Sequence, residues 1–120
     1  MNTVIWVIAI GFAAMGLAAL VRPALIWGPF GVVPTTAASR NEVRAVYGGF
    51  GLALAGLMIW ALAAEVGVRH GVFLTVAVSL FGMAAGRVVS AVAEPRALWG
   101  WPGVFFLIEL GAGGLTLLAA

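Results

Sequence analysis

Four apolar stretches, each with at most one charged residue, dominate this sequence. They cover about residues 3–20, 43–64, 71–93 and 103–120. About 20 residues at a rise of 1.5 Å cross a hydrocarbon layer of about 30 Å, so each stretch is long enough to span a bilayer as a helix. Lipid offers the backbone no hydrogen bonds, and only helices and closed barrels solve that problem. The pattern therefore predicts an all-α fold: residues 1–120 form a single integral membrane domain, a bundle of four transmembrane helices. A long interfacial loop covers 21–42, and short links cover 65–70 and 94–102.

Composition agrees. Hydrophobic residues make up 64% of the chain, charged residues only 8%, and the mean hydropathy is +1.18. A soluble domain would lack the polar surface to clothe such a chain. The net charge of +2 does not indicate a nucleic-acid partner, because the six cations are arginines scattered singly and no lysine is present. The absence of cysteine removes disulfides, thiolate metal sites and cysteine nucleophiles together. The opening run MNTVIWVIAIGFAAMGLAAL has no positive n-region and exceeds a typical signal h-region, so it reads as a retained first helix.

The loop VRPALIWGPFGVVPTTAASRNE is apolar until Thr35 and rich in proline and glycine, which suits a segment lying in the interface. Trp27, Trp99 and Trp101 mark one membrane boundary, Trp6 and Trp60 the other. Arg22, Arg40, Arg44 and Arg96 share a side and Arg69 stands alone on the opposite one, so the positive-inside rule places both termini outside the cytoplasm. ALIWGPFGV (24–32) echoes ALWGWPGV (97–104) after one gap. Two readings stay open: a pair of repeated helical hairpins, or chance in a Trp/Gly/Pro-rich loop.

The few polar residues inside the spans define the candidate site. Glu109 lies seven positions past Pro102, about 10 Å along its helix, where a carboxyl must face the bundle, find a partner or hold its proton. Arg87, about six residues inside the preceding span from the same boundary, is the natural partner. The alternative has Arg87 snorkelling to headgroups and Glu109 acting as a neutral hydrogen-bond donor. In SRNEVRAVYGG (39–49), Glu42, Arg44 and Tyr47 are placed to converge with that pair in a polar pocket of the second, third and fourth helices. A competing reading makes Ser39 and Glu42 a capping box, although this leaves Arg44 and Tyr47 unexplained, expected on one face at i, i+3. Gly48, Gly49, Gly82 and Gly86, the last two forming GxxxG, read as helix-packing positions. YGGFG lacks the Lys-Ser/Thr ending of a phosphate loop. His70, the only histidine, cannot build a haem or zinc site alone. No cofactor or metal is expected.

ExRAxYGG opening the second span (Glu42, Arg44, Ala45, Tyr47, Gly48, Gly49) resembles a bacterial domain-of-unknown-function family, number 4345. The GR at Gly86–Arg87 and a lone Glu109 in the fourth span are looser parts of the same likeness. The four-helix arrangement is also similar to DoxX-like and DoxD-like membrane proteins. The resemblance implies a small four-helix protein of the bacterial inner membrane and no established activity.

Two functions compete. An accessory or interaction protein would pack with itself or a larger membrane complex through its small-residue faces. A binding protein would take a lipid headgroup, quinone or small organic anion at Glu42, Arg44, Tyr47, Arg87 and Glu109, since arginine in low dielectric holds anions well. Ion transport would be a variant of the second. An enzyme finds little support, because no nucleophile–base pair, GxSxG, HExxH or aspartate is present.

Overall fold

A computed structural model describes all residues, Met1–Ala120. The chain is all-helical, with no strand, and has four helices long and apolar enough to cross a membrane. These are α1 (Asn2–Val21), α3 (Ala37–Ala61), α4 (Val66–Ala93) and α5 (Trp101–Ala119). A short helix, α2 (Ala24–Trp27), lies in the first connection. By their contacts the residues divide into two compact units, Ile5–Leu62 and Met1–Val4 with Ala63–Ala120.

In the first unit, α1 and α3 run antiparallel, pressed together at glycines. A Cβ on Gly16 would come within 2.8 Å of the Gly48 carbonyl oxygen, and one on Gly51 within 3.1 Å of the Phe12 carbonyl oxygen. The two backbones therefore meet where only small residues permit it. At this contact α3 departs from α-helical geometry. Arg44–Gly49 forms a wider π turn, closed by the Phe50 N–H donating to Ala45 O, five residues back. Gly48 lies within this turn and faces Leu20 and Gly16 of α1.

The connection from α1 holds two short helical turns. After α2 comes one 3-10 turn, Gly28–Phe30, which ends at Gly31 with φ 73°. Gly31 N–H donates to Gly28 O and Val32 N–H to Trp27 O, a Schellman-type closure that requires the left-handed glycine. Thr36 then caps α3. Its hydroxyl accepts from Ser39 N–H at 3.0 Å, while Thr36 N–H donates to Ser39 Oγ at 3.1 Å. The competing reading of Ser39 and Glu42 as a capping box therefore fails, the box lying one turn earlier at Thr36 and Ser39. Thr36 has the extended backbone of a cap, whereas Ser39 is already helical, so Glu42 caps nothing.

In the second unit, α4 and α5 are also antiparallel: Phe81 meets Gly113 and, further along α4, Arg87 meets Glu109. On α4 a buried stripe of Phe73, Val76, Ala77, Leu80 and Ala84 has helical spacing. The link before α5 turns at Gly100, φ 77° and ψ −139°, a conformation open essentially to glycine alone. The echo segments 24–32 and 97–104 fold differently: in the first the left-handed glycine is Gly31, in the second Gly100, which aligns instead with the right-handed Gly28.

Three helix boundaries differ from expectation by three residues or more. α3 begins six residues earlier than expected and ends at Ala61 rather than 64, and α4 begins at Val66 rather than 71. Arg69 and His70 therefore lie on a helix and not in a loop. Hydropathy reports the part of a helix that lipid can cover, and at 28 residues α4 is about 42 Å long, well beyond that thickness.

Candidate functional site

Arg87 and Glu109 form a closed pair. Arg87 Nε donates to Glu109 Oε2 and Arg87 Nη2 to Glu109 Oε1, both at 2.7 Å. This fork-to-carboxylate geometry engages both oxygens and is the strongest form of the interaction. The Glu109 side chain is 6% exposed and that of Arg87 24%. The Phe105 ring, one turn before Glu109, lies 5.8 Å from Arg87 Cζ and presents its π face to the cation. Arg87 therefore pairs with Glu109 rather than standing apart from it.

The pairing follows from local sequence. Glu109, Gly113 and Thr116 are the buried residues of α5 and share one face at spacings of four and three. Gly113 admits the Phe81 ring, bringing α4 close enough for Arg87 to reach Glu109. Thr116, fully buried, completes the face with a hydroxyl that has no hydrogen-bond partner.

Glu42, Arg44 and Tyr47 belong to the other unit. Glu42 is exposed, Arg44 is exposed and Tyr47 is half-buried. Arg44 and Tyr47, expected on one face at i, i+3, both sit in the π turn. Arg44 instead turns to α1, where its Nε donates to Leu20 O at 3.1 Å. It thereby satisfies one of the carbonyls left open at that helix end. Arg40, one turn earlier, donates from Nη1 to Pro34 O at 3.2 Å. Sequence reasoning missed both bonds. The arginine-to-carbonyl contact of Arg44 spans 24 residues and has no local signature.

The glycines split into two kinds. Gly48 is buried, with Leu20 Cδ2 only 2.8 Å from where its Cβ would stand, whereas Gly49 meets nothing nearer than Arg44 O at 3.9 Å. Gly82 and Gly86 are exposed, and no atom lies within 4 Å of either Cβ position. Within its unit, the GxxxG of α4 lies away from the face that meets α5.

No curated protein and no solved structure matches this sequence. One family does, over the whole chain, residues 1–120. The chain accordingly belongs to the family described as Domain of unknown function (DUF4345).

Proposed function

We propose that this chain is an accessory subunit of the membrane, packing with a second copy of itself or with a larger membrane complex. One observation carries the reading. On α4, Gly71, Thr75, Ser79, Gly82, Gly86 and Ser90 are all exposed and recur at intervals of four, four, three, four and four. They form a stripe within an arc of about 100° and about 29 Å long, close to the full hydrocarbon thickness.

The stripe is well suited to another helix. Thr75 and Ser79 bond their hydroxyls back to Gly71 O and Thr75 O, at 2.8 and 2.7 Å, so these two hydroxyls are satisfied within the helix. Lipid chains cover bulky apolar side chains well but gain less from a row of small residues. A second helix gains close van der Waals contact along its length, the main driving force for association in membranes. The opposite face of α4 is already committed to α5.

The arginine distribution supports a multi-pass orientation in the bacterial cytoplasmic membrane with both termini on the periplasmic side. The test is direct extraction of the protein from native membranes into polymer-bounded discs, followed by mass determination. The reading expects two or more copies, or a second polypeptide in fixed ratio. A single copy alone would contradict it.

Binding of an anion or quinone in a pocket that includes Arg87 and Glu109 has less support, since each neutralises the other at 2.7 Å. Arg44 is different: its Nη groups make no hydrogen bond within the protein.

A further inference from the structure

We propose that Arg40 and Arg44, with Arg22, form a binding site for the phosphate of an anionic phospholipid headgroup. The three cations are gathered where the end of α1 meets the start of α3. The anchor of Arg44 is Leu20 O, two residues before Arg22, and Arg40 precedes Arg44 by one helical turn, the Arg44 N–H donating to Arg40 O.

Two of the guanidiniums are already held in place. Arg44 is pinned through Nε and Arg40 through Nη1, each to a backbone carbonyl rather than a carboxylate. Every guanidinium carries five N–H donors, so each keeps four for a ligand. None of the three arginines pairs with an acid, because the sole ion pair of the chain is Arg87–Glu109. Glu42 is the one carboxylate in this unit, leaving the group a net positive charge. The partial charges of the α1 C-terminus and the α3 N-terminus are opposite and of about half an electron each, so they largely cancel and the guanidiniums decide the local field.

Phosphate oxygens match the flat guanidinium fork, and arginine gives up its hydration more readily than lysine. The position selects the source. Arg22 follows α1 directly and Arg40 and Arg44 lie near the start of α3, and the chain between the two helices, which includes the half-buried Trp27, suits the headgroup level. A lipid already occupies that level at high local concentration. Immobilised donors distinguish this arrangement from arginines that merely snorkel, since a held fork loses less side-chain entropy on binding.

The experiment is native mass spectrometry with thermal melting of the protein in neutral detergent, adding phosphatidylglycerol, phosphatidylcholine or inorganic phosphate. The wild type is expected to retain phosphatidylglycerol over phosphatidylcholine by about tenfold or more. The variant R40Q/R44Q should lose that preference, and R69Q/R96Q, with the same charge change elsewhere, should keep it. Arg22→Gln breaks no hydrogen bond and should weaken the preference without altering the fold. Equal retention of the two lipids by the wild type would overturn the proposal and needs no variant. Equal losses in R40Q/R44Q and R69Q/R96Q would overturn it too. Stabilisation by inorganic phosphate matching that by phosphatidylglycerol would assign the site to free phosphate and overturn the lipid assignment.

Discussion

Replacing Glu109 by glutamine leaves Arg87 charged inside α4, facing one neutral amide oxygen and an NH2 group in place of the two carboxylate oxygens. Two charge-assisted hydrogen bonds at 2.7 Å are lost or weakened. At about 1.5–3 kcal/mol for each bond to a charged group, the loss would reach about 3–6 kcal/mol. Breaking one side of a buried pair costs about 3–5 kcal/mol, in the same range. Two effects reduce this. Arg87 is 24% exposed, and it lies six residues from the end of α4, about 9 Å, within partial reach of the headgroups by snorkelling. The expected loss is therefore about 2–4 kcal/mol. Interhelical hydrogen bonds in membrane proteins average only about 0.6 kcal/mol, and an effect of that size would mean the pair behaves as an ordinary polar contact. Unfolding in mixed micelles by increasing SDS, followed by circular dichroism, measures the quantity. Arg87→Met should also destabilise, whereas R87M/E109L, which removes both charges, should lose far less than the two single changes together. Single variants within about 0.5 kcal/mol of wild type would refute the reasoning.

Other expectations use the same unfolding measurement. Gly16→Ala places a methyl 2.8 Å from the Gly48 carbonyl oxygen and should destabilise by about 1–3 kcal/mol, while Gly82→Ala, with open space, should leave the stability of the single chain unchanged. Thr116→Val replaces a fully buried, unpartnered hydroxyl with a methyl and should be neutral or stabilising by up to about 1 kcal/mol; a clear loss would reveal a partner for that hydroxyl. Gly100→Ala must hold φ 77° with a Cβ present and should cost about 1–3 kcal/mol.

Much of the architecture was legible because lipid imposes a simple rule: a charge-poor run of sufficient length must become a helix. The Arg87–Glu109 pair was legible for a related reason, since two isolated charges at similar depth on adjacent spans have few other ways to be satisfied. What escaped the sequence depends on contacts between distant residues. The π turn forms where Gly48 lies against Gly16, and nothing in RAVYGG alone demands it. Arg44 caps α1 across that same contact. The α3 cap was missed because Thr36 and Ser39 both suit a cap, and hydropathy favoured the later start. The stripe on α4 was seen only as Gly82 and Gly86. Thr75 and Ser79 join it because their hydroxyls fold back onto the helix, which side-chain polarity alone does not reveal.

Association through the α4 stripe is tested most directly by fluorescence transfer between donor- and acceptor-labelled chains in liposomes, diluted with lipid. Wild-type chains should show transfer that falls reversibly with dilution. Gly82→Ile with Gly86→Ile should weaken self-association by about tenfold or more, about 1.4 kcal/mol, while circular dichroism keeps the wild-type helix content. Transfer at the level of random mixing for the wild type, or equal transfer in the isoleucine variant, would contradict packing of this face against a second copy.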